Sequence, residues 1–384
     1  MFILGFLVIF MLTATLVAAI NWLNLIPWRR AASAHWTERN RLVTTVRSSL
    51  VFTAIGAGSL VFLVTHIYFP DLPGYFTLNI LAFWLGSTVG TYALVRELYP
   101  GLPFVIWCKN TLMTISVFYG PTIIIGLGCI FMPEQFSLVS LLIFGLVAGL
   151  HFWLCFGGAI RLSARLKFIY PAGAELQRIV AATAQKLGVN QPRHVWQAPS
   201  HIANAIAFPT TQELIFFNRA VEICTPEEIA TICAHELGHL AESKRQILVR
   251  LLLSMGFLPY IFIIPLMHAL GIAGMFLPFL FLVIMNRIKN SYWQRLEKQA
   301  DKIGAFSQQG DGDYARALEK LYQANHSPAV NITTNSTHPH LYDRLISAGI
   351  TPEYPRPAKP NAVTASFWWL LVTNLVLVFI MLRH

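Results

Sequence analysis

Seven predominantly apolar stretches of this chain run for about twenty residues or more without a lysine, arginine, aspartate or glutamate. A helix needs roughly 20 apolar residues to cross the hydrocarbon of a bilayer, about 30 Å, so each stretch is long enough to span one. Six read as single spans: Phe2 to Ile26, Ser48 to Phe69, Tyr75 to Val95, Thr111 to Met132, Phe136 to Ile160 and Asn361 to Leu382. The seventh, Leu251 to Asn286, would be about 54 Å long as one helix at 1.5 Å per residue, more than one crossing needs. It contains Pro259, Pro265, Gly271 and Pro278 and reads as a hairpin of two short spans turning near Gly271, for eight crossings in all. A cleaved signal peptide would need basic residues ahead of the first apolar run, and Met1-Phe2-Ile3-Leu4 has none.

Composition agrees with a membrane setting. Only 12% of the 384 residues are charged and 55% are hydrophobic, against about 25% charged in soluble domains. The net charge of +10 would suit nucleic acid if the basic residues formed a patch. Here they flank the spans, so the expected partner is the lipid bilayer and not nucleic acid. Five cysteines without C-x-x-C spacing suggest neither a disulfide framework nor a cysteine metal site.

Basic residues in short loops mark the cytoplasmic side. Arg29, Arg30, Arg39, Arg41 and Arg47 crowd the segment Pro27 to Arg47, while Pro70 to Gly74 and Pro133 to Gln135 carry no Lys or Arg. The N-terminus is therefore expected outside, and both long polar segments, Arg161 to Gln246 and Arg287 to Pro360, in the cytoplasm; a bacterial inner membrane is the expected location. The domain plan is then five spans in 1–160, a first catalytic part in 161–246, a hairpin in 247–286, a second catalytic part in 287–360 and a last span in 361–384.

The polar segments read as a small α+β domain. Pro171 to Leu187 has helical periodicity and stops before Gly188, a suitable C-cap. Arg193 to Ala198, Asn204 to Phe208 and Leu214 to Asn218 are short β-prone runs separated by turn residues. Thr225-Pro226-Glu227-Glu228 supplies an N-cap, a proline at the first helical position and the glutamate of a capping box, starting a helix that runs to about Ser243.

That helix contains His235-Glu236-Leu237-Gly238-His239. Residues four apart stand one turn above each other, so both imidazoles can reach one zinc ion. Glu236 then lies beside the open coordination position, where a general base can take a proton from water. A catalytic zinc needs a third protein ligand. The metzincin histidine six residues past His239 is replaced by Arg245. Glu242 shares the helix face, but two ligands from one straight helix are easier to converge than three. Glu297 in Arg295-Leu296-Glu297-Lys298-Gln299-Ala300-Asp301 is the better third ligand, with Asp301 one turn on and placed to accept the free ring N–H of a ligating histidine. A plain solvated helix explains the same charges.

These residues resemble the membrane gluzincin metallopeptidases that include HtpX and the type 1 CaaX prenyl proteases. The resemblance covers roughly Tyr170 to Gly349 and rests on four motifs in order: Asn204-Ala205-Ile206-Ala207-Phe208, His235 to His239, Glu297 to Asp301, and Ser336-Thr337-His338-Pro339 followed by Arg344. It implies that Glu297 binds zinc and that His338 and Arg344 line the active site; His338 is then the candidate to stabilise the oxyanion by hydrogen bonding. Arg344 can orient a substrate carboxylate or pair with an acid such as Asp343 or Glu297. Asn204, Ala205 and Ala207 can bind an extended substrate at a sheet edge, or be part of a buried structural strand. Five spans before the motif helix and two after it resemble the prenyl protease layout more than HtpX. The last span fits neither.

The expected protein is thus a mainly α-helical multi-pass membrane protein with a cytoplasmic α+β zincin-type domain. Its activity would be zinc-dependent cleavage of a peptide or protein substrate that is membrane-associated or lipidated. Two other classes share some features. A di-iron membrane oxidase would use Glu236-x-x-His239 but needs a second such pair, which the sequence lacks. A transporter or inactive scaffold would carry ionisable groups inside its spans, where only His66, His151 and His268 stand.

Overall fold

The computed structural model describes residues 2–68, 76–114, 120–308, 310–333 and 339–381. The loop Pro70–Gly74 and His338 lie outside the described residues. The chain divides into two compact units. One comprises Met1–Trp107, Tyr322–Ile332 and Glu353–His384, the other Cys108–Leu321 and Thr333–Pro352.

In the first unit the helix Phe2–Asn24 packs along Phe76–Leu98, and Leu50–Tyr68 along Ala365–Met381. Leu25, Val43, Val46, Leu94 and Leu98 are buried together, close to an ion pair between Arg29 and Glu97. The expected basic loop is largely helical, as Ile26–Arg30 and Trp36–Ser48. The second of these buries Thr37, Asn40, Val43 and Val46. Two of those four are polar, which hides the stripe from a hydropathy reading. Asn40 repays its burial by donating to the carbonyls of Tyr322 and Ser327, at 3.1 and 3.0 Å.

Among the described residues, four continuous helices are long and apolar enough to cross a membrane: Ile3–Arg30, Trp36–Val64, Leu138–Arg165 and Lys244–Leu270. Ala365–Ile380 is a shorter apolar helix. The protein is therefore an integral membrane protein. Two of the four spans belong to the second unit, together with the polar domain.

Within that unit the span that starts at Leu138 breaks after Trp153. Gly157 sits at φ 91°, a left-handed conformation suited to glycine. The Cys155 carbonyl at this break accepts the Thr210 hydroxyl at 3.0 Å, as a kinked helix requires of its freed backbone groups. Four strands follow: β1 (Tyr170–Pro171), β2 (His194–Ala198), β3 (Ala205–Phe208) and β4 (Glu213–Phe217). Their spatial order is β1-β2-β4-β3, with β2 parallel to β4 and the other pairs antiparallel. β4 is central, and its Leu214, Ile215, Phe216 and Phe217 are all buried. β3 is an edge strand. The helix Ala174–Leu187 ends at Gly188 in the left-handed conformation.

The motif helix, Pro226–Leu240, starts from a complete capping box. The Glu228 N–H donates to Thr225 Oγ1, and the Glu228 carboxylate accepts the Thr225 N–H at 2.8 Å. Ile229, Ile232, Cys233, Leu237 and Leu240 bury its flanks. Ser243 then caps the outgoing helix Lys244–Met255. The chain reverses at Gly271, and the returning helix Ala273–Phe306 carries 34 residues back, about 51 Å at 1.5 Å per residue. It packs tightly on the motif helix at Gly238, where a Cβ would stand 3.4 Å from Ala300 Cα and 2.9 Å from Ile303 Cδ1. Glycine at the centre of the motif lets the two backbones approach closely enough to share a site.

Candidate metal centre

Two helices supply the centre. His235 and His239 stand one turn apart on the motif helix, with ring centroids 5.0 Å apart. Glu297 comes from the returning helix, three residues before its contact with Gly238 at Ala300. His235 Nε2 lies 3.5 Å from Glu297 Oε2, and His239 Nε2 lies 3.4 Å from Glu297 Oε1. All three ligand atoms lie within 4.8 Å of one another, and the three residues are buried.

The residues fit a metal ion. Ligands about 2.0–2.1 Å from a shared tetrahedral centre stand about 3.3–3.4 Å from each other, close to the nitrogen–oxygen separations here. Both Nδ1 atoms are occupied on the far side of the rings. His235 Nδ1 is 3.0 Å from the Tyr314 hydroxyl and 3.2 Å from Asp301 Oδ1; His239 Nδ1 is 3.1 Å from Glu242 Oε1. A neutral imidazole that donates from Nδ1 turns a lone pair outward at Nε2. Two such lone pairs facing a buried carboxylate repel unless a cation lies between them. Without an ion, burial lowers the His235 pKa, but Asp301 and Glu297 outweigh burial and raise it to about 10, so a proton on Nε2 would then supply the positive charge that an ion supplies when bound. The pocket favours positive charge.

Behind His235 a buried network fixes the ring. Arg344 donates from Nε to Asp301 Oδ2 at 2.9 Å and from Nη2 to Asp301 Oδ1 at 2.6 Å. Tyr314 donates its hydroxyl to Asp301 Oδ1 at 2.7 Å, with its ring stacked on His235. Burial raises the Asp301 pKa, but the hydrogen bond from His235 and the Arg344 charge hold it well below the usual carboxylate range. Asp301 is therefore ionised and able to accept the imidazole N–H.

Glu236 is buried beside the centre and takes a hydrogen bond from the Ala207 backbone. Burial raises its pKa, with the two histidine charges acting in the opposite sense. This contact brings the motif helix against β3. Phe217 N donates to Asn204 O at 2.9 Å, and the register pairs Ala205 with Phe216 and Ala207 with Leu214. In an antiparallel ladder that pattern points the main-chain groups of Ala205 and Ala207 away from β4, towards the open edge.

The structure thus brings His235, His239 and Glu297 together, with Glu236 and Ala207 adjoining, Asp301 behind His235, and Arg344 on Asp301. His338 falls outside the described residues. Tyr314, Arg250 and Trp293 escaped the sequence reading. They come from separate helices at no fixed spacing from the motif, so no local pattern marks them.

Known proteins can now be set beside this geometry. Residues 172–348 match the model described as Peptidase family M48. The crystal structure of S. mikatae Ste24p shares the fold, with a TM-score of 0.54 at 16% sequence identity, over 91% of this chain and 99% of that one. No match is found among curated proteins. Helices that cross the membrane, joined to a buried two-histidine, one-glutamate cluster, define a membrane metallopeptidase. Over residues 172–348 the chain is, more particularly, similar to peptidase family M48, and the protein is a metalloprotease.

Proposed function

We propose that this chain is a zinc-dependent endopeptidase that cuts membrane-associated or lipidated proteins, with its site facing the cytoplasm of a bacterial inner membrane. The observation that carries the reading is the placement of Glu297. This carboxylate reaches the two histidines from a helix whose first half is apolar and continues a membrane hairpin. A peptide reaching such a site arrives close to the bilayer.

His235, His239 and Glu297 would hold the zinc ion, which when bound supplies Lewis-acid polarisation of water and of the scissile carbonyl. Glu236 acts as general base, taking a proton from the attacking water and passing it to the leaving amine. Its burial raises its proton affinity, which suits that task. The outward main-chain groups of Ala205 and the carbonyl of Ala207, next to Asn204, pair with an extended substrate as an added strand, the Ala207 backbone N–H being taken by Glu236. That places the substrate backbone along β3, beside Glu236. Asp301 keeps the His235 ring in one tautomer, and Arg344 and Tyr314 hold Asp301. His338 is assigned to the oxyanion on its motif.

The test is a cleavage-site profile of membrane proteins incubated with the purified full-length enzyme. New termini close to spans or lipid attachment sites, absent after chelation and absent with Glu236→Gln, are expected. Cleavage that continues unchanged in Glu236→Gln would overturn the mechanism. Cleavage confined to soluble substrates would overturn the substrate class.

A further inference from the structure

His235 and His239 are equivalent in sequence but not in their support. His235 leans on Asp301, from the same helix that delivers Glu297. His239 leans on Glu242, whose side chain is only 4% exposed. Glu242 meets Nδ1, on the far side of the ring from Nε2, so it cannot bind the ion that Nε2 faces.

A buried carboxylate needs a counter-charge. Arg250 of the outgoing helix provides it, donating from Nη2 to Glu242 Oε1. The same nitrogen lies 3.3 Å from His239 Nδ1. Guanidinium can only donate, and Nδ1 donates as well, so this second approach is not a bond. The hydrogen-bond order is His239 to Glu242 from one side and Arg250 to Glu242 from the other. Arg250 is itself held, with its guanidinium carbon 5.0 Å from the centroid of the Trp293 ring on the returning helix, within cation–π range.

We propose that Glu242 and Arg250 are a positioning pair for His239, and that through Trp293 they tie this ligand to both helices of the membrane hairpin. The proposal rests on the zinc reading given above. Arg250 lies within the membrane-crossing helix Lys244–Leu270. A shift between the hairpin helices therefore moves the group that sets the His239 tautomer and ring angle. His235 is held by Asp301 of the returning helix, with Tyr314 and Arg344, and makes no such contact with Arg250 of the outgoing helix. The sequence sets Glu242 aside as a metal ligand, but its contact with Nδ1 makes zinc binding depend on it all the same.

The experiment uses the full-length protein purified in detergent, with zinc affinity measured by chelator competition and the site read by the visible spectrum of the cobalt-substituted protein. Glu242→Ala and Arg250→Ala should each weaken zinc about ten- to a hundredfold and change the cobalt bands. Glu242→Gln keeps an acceptor oxygen for Nδ1–H and should recover most of the affinity. If Glu242→Ala does not fold, Arg250→Lys, which keeps the charge but loses the planar fork, carries the same expectation in weaker form. Wild-type affinity and spectrum in Arg250→Ala together with Glu242→Ala, or with Arg250→Lys where Glu242→Ala does not fold, overturn the proposal. His239→Ala separates the two levels: retained zinc in that variant overturns the zinc reading itself, whereas lost zinc there with intact Glu242 and Arg250 variants overturns only the pair.

Discussion

Arg344 grips Asp301 through two nitrogens, one on each carboxylate oxygen, at 2.9 and 2.6 Å. Both side chains are largely buried, at 6% and 16% exposure. A two-point grip of this kind fixes orientation as well as charge, and Asp301 passes that orientation on to His235.

Removing Arg344 would leave an ionised carboxylate buried without its main counter-charge. Arg344→Ala should therefore destabilise the protein by about 3–5 kcal/mol and weaken zinc binding. Arg344→Lys should rescue it in part, because it restores charge but not the fork. Thermal unfolding and chelator competition on the same preparations measure both effects. A wild-type melting temperature in Arg344→Ala would show that the grip contributes nothing.

Tyr314 offers a finer test of the same network. Tyr314→Phe keeps the ring stacked on His235 and deletes the hydroxyl that donates to Asp301, accepts from Arg344 at 3.2 Å and lies 3.0 Å from His235 Nδ1, for a loss of about 0.5–1.5 kcal/mol. Its effect on zinc affinity should be smaller than that of Asp301→Asn, which should lie in the range of about ten- to a hundredfold. The opposite ranking would make Tyr314, and not Asp301, the group that orients His235.

Much of this was legible in the sequence, for identifiable reasons. The motif helix announces itself through Thr225, Pro226 and Glu228, three local signals that agree. Gly188 marks the end of its helix because a left-handed residue is needed there. The three β-prone runs become β2, β3 and β4, but their order is not local. The parallel pairing of β2 with β4, leaving β3 at the edge, depends on contacts between distant residues. The same holds for the site. His235, Glu236 and His239 are held in register by one helix, whereas Tyr314, Arg250 and Trp293 become neighbours only once the hairpin returns. The helix Trp36–Ser48 was hidden for a different reason, since Thr37 and Asn40 occupy half of its buried stripe.

Topology gives a prediction independent of the chemistry. By the rule that basic loops face the cytoplasm, the crowded arginines between Pro27 and Arg47 are expected inside, and the motif helix shares a side with them if five spans intervene before it. Single cysteines at Ser33, Ser243 and Lys298, in a background lacking the native five, should be shielded from a membrane-impermeant thiol reagent in intact cells. One at Asp71 should be labelled. Labelling at Lys298 but not at Ser243 would contradict a shared site, since ligands on opposite faces of a membrane cannot hold one ion.

Whether three residues from two helices hold one zinc ion is decided by metal analysis of the purified full-length protein. Wild type should carry about one zinc per chain, and so should Glu236→Gln, because that residue is a base and not a ligand; only its hydrolysis should fall, by several orders of magnitude. His235→Ala, His239→Ala and Glu297→Ala should each lose most of the metal, because a three-ligand site does not survive as two. Full zinc in Glu297→Ala would remove the returning helix from the site. Wild-type protein with no zinc, or with two irons per chain, would contradict the assignment altogether.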